Sequence, residues 1–125
     1  MIAYAITKTV SIDAPVERVF KYLADAANWP KWAIVNVKAV KPAGDAWWHM
    51  ETPSGKAKLR IRPNAELGIL DHDFNAPEAS WTVAARVVPN GSGCESTFTR
   101  QFFEEQLALV DRELAQLKSL MERGM

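Results

Sequence analysis

From Trp47 to Arg100 apolar residues alternate with polar ones, and the alternation breaks at Thr52–Gly55, Pro63–Glu66, Asn75–Glu78 and Pro89–Ser92. Each break is four residues long and carries the Pro, Gly, Asn or Ser of a hairpin loop. Opposed residues of an antiparallel pair share a face, and faces alternate along each strand. Closing the loops at their flanks pairs Glu51 with Lys56, Arg62 with Leu67, Phe74 with Ala79, and Val88 with Gly93. One row across the sheet then reads Trp48, Leu59, Leu70, Val83, Phe98, and the next reads Met50, Ala57, His72, Trp81, Arg100. The first row is wholly apolar and marks the inner face. The second sets an imidazole and a guanidinium around an indole on that face, a pattern that predicts a ligand cavity.

The flanking segments predict the remaining elements. Ala3–Ile12 alternates as a half-buried strand in which Lys8 is the odd member of the apolar set. Asp13 is placed to cap a helix with Pro15 and Glu17 in its first turn, and Val16, Val19, Phe20 and Leu23 give that helix one apolar stripe. Asn28 is placed to cap a second short turn carrying Trp29 and Trp32, which share one side and either seal the core or line the closed end of a pocket. From Ile34 to Phe102 strand follows strand, with Lys41–Asp45 separating the first pair, so the expected total is seven. A long helix over Glu104–Arg123 repeats Leu107, Val110, Leu114, Leu117 and Met121 at spacings of four and three, and Gly124 stops it. Its twenty residues span about 30 Å, enough to cross a curved sheet. A coiled coil or a membrane-surface helix would use the same stripe, but it runs under three heptads and its polar face is balanced in charge. The expected fold class is α+β: a seven-stranded curved antiparallel sheet around a long C-terminal helix, with two short helices after the first strand. A sheet of that size curls, and a single helix leaves part of the hollow unfilled.

Composition narrows the function classes. The chain of 125 residues is 48% apolar and 24% charged, as expected of one globular domain over residues 1–125. Lys plus Arg and Asp plus Glu both number 15, so the basic excess on which nucleic-acid binding rests is missing. Lys56, Lys58, Arg60 and Arg62 alternate on the outer face of one strand, as a solvated surface that discourages aggregation. An outward Trp47 beside that stripe offers a surface for a homodimer or another partner. Cys94, the sole cysteine, is expected on the outer or edge side as a structural thiol. The opening MIAYAITKTV has no uninterrupted apolar run, so neither a signal peptide nor stable membrane insertion is expected, and cytoplasmic residence follows by default.

The segments VSIDAPVERVFKYLADAANWPKW at 10–32, GILDHDF at 68–74, RVVPNGSGCESTFTR at 86–100 and DRELAQLKSLME at 111–122 resemble the START-like, or SRPBCC, superfamily of polyketide cyclase/dehydrase-like proteins. The resemblance implies the Bet v 1-type helix-grip fold. It also implies an apolar or amphipathic small molecule held between long helix and sheet, with cyclisation or dehydration in a few members and partner regulation in others. Where the subgroup usually has a longer Pro/Gly loop at the cavity mouth, this chain runs Arg100-Gln101-Phe102-Phe103-Glu104 almost directly into helix.

His72 is flanked by Asp71 and Asp73, yet strand neighbours point to opposite faces, so any group orienting its ring is expected from another strand or the helix. The expected contacts are His72 to Trp81 and Trp81 to Arg100, the latter a cation–π pair. Three roles compete for this cluster: a satisfied polar-aromatic core, ligand orientation, or acid–base catalysis. As a binding site, Trp32, Trp48, Met50, Trp81, Phe98, Val110 and Leu114 supply apolar wall, while His72 and Arg100 fix a polar end. As an enzyme, His72 is the general base and Arg100 stabilises an enolate. As an interaction module, the cavity is vestigial. No metal or cofactor is expected: the two histidines fall on opposite faces, and no Cys or His spacing suits zinc.

Overall fold

The computed structural model describes residues 5–100 and 107–123. Strand β1 (Ile6–Ile12) leads into helix α1 (Val16–Ala24), a 3₁₀ turn (Ala26–Asn28) and the short helix α2 (Trp29–Trp32). Six strands follow: β2 (Ala39–Gly44), β3 (Trp47–Thr52), β4 (Gly55–Asn64), β5 (Ile69–Asn75), β6 (Ser80–Asn90) and β7 (Gly93–Arg100). Helix α3 (Leu107–Glu122) closes the chain. The seven strands form one antiparallel sheet in the order β1-β7-β6-β5-β4-β3-β2, the expected architecture.

The inner face carries the predicted residues. Met50, Leu59, Leu70, Val83, Val87 and Phe98 are buried there against Val19 and Leu23 of α1 and Leu114, Leu117 and Met121 of α3. Cys94 is 1% exposed and shares the parity of Ser96 and Phe98, so it faces the core rather than the outside. Lys8 also faces inward, and its ammonium meets Asp111 of α3 at 3.1 Å. The other end of α3 is pinned to β1 as well. Lys118 donates to the Ser11 carbonyl at 2.7 Å, and Glu122 accepts the Asp13 N–H at 2.8 Å.

The parity is as expected, but three registers are not. Glu51 pairs with Lys56 as predicted. Arg62 pairs with Asp71, four positions beyond Leu67. Phe74 pairs with Trp81 and Val88 with Glu95, each two positions beyond the expected partner. Glycine geometry explains two of these differences. Gly68 holds φ +68°, and a Cβ there would sit 2.4 Å from the Val87 carbonyl oxygen, so Gly68 marks the end of the loop and Pro63 stays in the strand opposite Leu70. Gly91 holds φ +59° as the first residue of a two-residue turn, the Gly-X arrangement of a tight hairpin, so the strands run on through Pro89 and Asn90.

Element ends differ too. Ile34–Lys38 is turn and bend rather than strand. The β2–β3 turn is Asp45-Ala46, with a bulge at Ala43, rather than the longer Lys41–Asp45. Pro15, not Asp13, occupies the α1 cap position, without a side-chain hydrogen bond, and the Asp13 backbone N–H donates to Glu122. Asp25 caps the 3₁₀ turn by accepting the Ala27 N–H at 3.0 Å, and Asn28 takes the expected N-cap position of α2 without a side-chain capping hydrogen bond. The expected strand residues Ala3 and Tyr4 and the Gln101–Gln106 junction lie outside the described residues.

Candidate functional site

The elements converge on a cavity between the sheet and the helices α2 and α3. Its volume is about 100 Å³. The sheet contributes His72 and Phe74 from β5, Val83 from β6 and Phe98 from β7. Across from them stand Trp29, Trp32 and Ala33, the turn residues Asn36 and Val37, and Val110, Glu113 and Leu114 of α3.

Aromatic rings form much of the wall. Trp29 and Trp32 meet edge-on at 4.9 Å, and Trp29 stands edge-on to His72 at 4.8 Å. The Trp29 indole N–H donates to the Leu23 carbonyl at 2.9 Å, which locks α2 against the end of α1. Trp32 lies 5.8 Å from Phe98, and its indole nitrogen, buried, has no hydrogen-bond partner among the described residues.

His72 is 3% exposed, and its Nδ1 lies 2.9 Å from the Leu70 carbonyl oxygen. A carbonyl only accepts, so the proton of that bond sits on Nδ1. In the neutral ring the lone pair is then on Nε2. Among the described residues, the backbone of its own strand thus orients the ring.

Glu113 is, with His72, the other ionisable group of the wall among the described residues and is 6% exposed. Its carboxylate accepts the Val35 and Asn36 backbone N–H groups at 3.1 and 2.9 Å and the Asn36 amide at 3.1 Å. Burial pushes its pKa up, and the hydrogen bonds from Asn36 and Val35 and the charge of Lys38 pull the other way. It fastens the turn after α2 to α3 at the cavity wall. Glu113 escaped the sequence reading although it stands three after Val110 and four before Leu117, within the inward stripe.

Of the predicted site residues, Trp32, His72, Phe98, Val110 and Leu114 come together here. Trp48, Met50 and Trp81 do not line this cavity. Trp48 and Met50 pair with Leu59 and Ala57 on the β3–β4 side of the sheet. Trp81 stacks on Phe74 at 5.2 Å, because the loop after β5 begins one residue later than expected and places Val83, not Trp81, opposite His72. The Arg100 side chain lies outside the described residues, and with it the expected Trp81–Arg100 contact. Trp29 lines the wall, one of the two roles expected for it, while Phe74 and Asn36 join unpredicted. Phe74 was open to the same parity that picked out His72, two residues away. For Asn36 no sequence signal exists.

On the outer face Trp47 is half-buried beneath Arg60, whose guanidinium carbon lies 4.6 Å from the ring centroid. Arg60 and Arg62 both bind Asp73, at 2.9 Å each, and Thr82 donates to it at 2.7 Å. These donors hold the Asp73 carboxyl well below the usual carboxylate range. Among the described residues no three His, Cys, Asp or Glu side chains gather to hold a metal ion. No helix among them is long and apolar enough to cross a membrane.

The family model for polyketide cyclase / dehydrase and lipid transport matches residues 4–125. The chain belongs to this family. No curated protein matches it. Solved structures share the fold of this family member at low identity. An uncharacterized protein from Bacillus thuringiensis superposes with a TM-score of 0.72 at 14% identity, covering 94% of this chain and 98% of that one. The Aha1 dimer from Colwellia psychrerythraea gives 0.71 at 16%, covering 97% and 98%. The di-domain ARO/CYC StfQ of the steffimycin biosynthetic pathway gives 0.71 at 19%, covering 95% of this chain and 45% of that protein.

Proposed function

We propose that the chain binds a small apolar or amphipathic molecule between the sheet and the C-terminal helix. The observation that carries this reading is the cavity itself: an aromatic and aliphatic wall in which His72 and Glu113 are the ionisable groups. A mostly apolar concavity with few convergent polar groups is the usual design of a small-molecule site. Membership of a family named for polyketide chemistry and lipid transport supports the same class of ligand. Scale sharpens it. Sites that enclose drug-sized ligands run to roughly 300–1,000 Å³, so a cavity of about 100 Å³ suits a single ring, or one end of a longer molecule whose remainder lies outside.

A cyclase- or dehydratase-like reaction is the second reading, with His72 as general base and Arg100 stabilising an enolate. The Nδ1–H···Leu70 bond favours it, because it leaves the basic nitrogen of the neutral ring at Nε2, and the ARO/CYC protein StfQ shares the fold. On the same footing we propose that residues 1–125 work as one helix-grip unit in the cytoplasm, with self-association as in the Aha1 dimer. A partner-binding role with a vestigial cavity is the remaining alternative.

Native mass spectrometry of freshly purified protein, followed by titration with single-ring phenols and polyketide-like molecules under tryptophan fluorescence, tests the binding reading. A co-purifying mass or a saturable change that His72→Ala weakens about tenfold supports it, the size expected for a lost buried hydrogen bond. No bound mass and no saturation across the panel discards it. Ligand retention without turnover in the wild type discards the enzyme.

A further inference from the structure

The β5–β6 ladder contains an interruption directly behind His72. Val87 N–H donates to the Gly68 carbonyl at 2.9 Å, as an antiparallel ladder requires. Two residues further along each strand, the same ladder would join Ala85 N–H to the Leu70 carbonyl. Pairing is instead recorded for Ile69 with Arg86 and then for His72 with Val83, and the step between is skipped. Asp71, on the outer face, turns its carboxylate back into the gap, and Ala85 N–H donates to its Oδ1 at 2.9 Å. The Leu70 carbonyl, released from β6, lies 2.9 Å from His72 Nδ1 on the inner face.

We infer that Asp71 is a positioning residue for His72: by taking the Ala85 N–H, its carboxylate frees the Leu70 carbonyl to fix the imidazole proton on Nδ1. A carbonyl bound into the ladder lies in the sheet plane and points at the neighbouring strand. To meet a side chain on one face it must tip out of that plane, which it does once its ladder partner is satisfied elsewhere. The substitute acceptor has to be short, sit on the opposite face and be one residue away, as Asp71 is. Asp73 could not serve, since Arg60, Arg62 and Thr82 already occupy its oxygens. The aspartate that strand geometry separates from the histidine therefore reaches it through the backbone. The consequence for binding rests on the ligand reading above: a fixed tautomer decides which ring nitrogen carries the lone pair at the cavity wall. The tautomer itself is independent of any ligand.

Long-range ¹H–¹⁵N correlation spectra of the ligand-free chain, taken above the imidazole titration, read the tautomer directly, with exposed His49 as internal reference. Wild-type His72 is expected as Nδ1–H. Asp71→Ala returns Ala85 N–H to Leu70 and should move the Nδ1–H to Nε2–H ratio about fivefold towards Nε2–H, the size of one net hydrogen bond. Asp71→Asn, whose amide oxygen still reaches Ala85, should keep the wild-type ratio. Nε2–H in the wild type, or an unmoved ratio in Asp71→Ala, overturns the assignment. Should that variant not fold, the wild type decides alone: scalar coupling across the Ala85 N–H···Oδ1 bond must accompany the Nδ1–H tautomer, and absence of either overturns it. Failure of the ligand titrations leaves this measurement untouched.

Discussion

Single residues show where local chemistry and the fold disagree. Asp45 and Ala46 hold φ of 52° and 67° in the two-residue β2–β3 turn. A tight hairpin with both central residues in this region prefers Asn-Gly or Asp-Gly, because a Cβ crowds the neighbouring carbonyl. Aspartate tolerates the conformation better than alanine does. Ala46→Gly should therefore stabilise the protein by about 0.5–1 kcal/mol after the entropy of the added glycine is subtracted. Thermal unfolding followed by circular dichroism should show a midpoint about 2–4 °C higher, and an unchanged or lower midpoint contradicts the strain. Glu113 is a second such residue. It satisfies two backbone N–H groups and one side-chain amide of the turn after α2. Glu113→Ala leaves those donors unpaired near the cavity, so amide exchange at Val35 and Asn36 should accelerate about tenfold or more while the β6–β7 amides stay protected. Because burial raises its pKa, Glu113 adds most to stability when protonated, below its ordinary value of 4.5, and that contribution is lost as pH rises through the folded value.

Elements behave differently, because strand pairing is fixed by more than alternation. Side chains repeat every second residue along a strand, so a register slip of two or four leaves each one on its original face. The hydrophobic pattern therefore located the inner face at every strand from β3 to β7 yet could not choose among even registers. Arg62 opposite Asp71 and Phe74 opposite Trp81 are even slips of this kind. Neighbour relations within the site, such as His72 with Val83 rather than Trp81, stayed illegible for that reason. Only the positive φ and close packing of Gly68 and the turn at Gly91 settle two of the registers. Cross-strand charge then reinforces the observed pairing, since Asp73 joins Arg60 and Arg62 of β4 to Thr82 of β6. Its lowered pKa has the opposite sign to that of Glu113. This contribution is present above the unfolded value of 3.8 and is lost as pH falls through the folded one. Asp73→Asn should cost about 1–2 kcal/mol near neutrality, discounted because the Arg60 and Arg62 side chains are 39% and 48% exposed. Urea unfolding at neutral pH and at about pH 3 checks this. The gap between wild type and variant should narrow on acidification, and a constant gap would remove the ion cluster as its source.

At the scale of the whole molecule, α3 serves both as core and as cavity wall, and the two duties lie on different turns. Leu117 is fully buried against the sheet, whereas Val110, seven residues earlier, is half-buried and borders the void. Truncating a packed side chain forfeits its transfer energy and opens a cavity, while truncating one beside existing space forfeits fewer contacts. Leu117→Ala should thus destabilise the protein by about 2–5 kcal/mol, and Val110→Ala by about 1 kcal/mol or less. The same Val110→Ala change enlarges the cavity beyond its volume of about 100 Å³. If the concavity is a binding site, this variant should accept two-ring probes more tightly than the wild type while single-ring probes weaken or stay level. If it is a packing remnant, Val110→Ala should lose its small increment of stability and gain no affinity for either class. Isothermal titration with matched one- and two-ring phenols, set beside urea unfolding of both variants, separates the outcomes, because a remnant has no means of converting lost packing into selectivity.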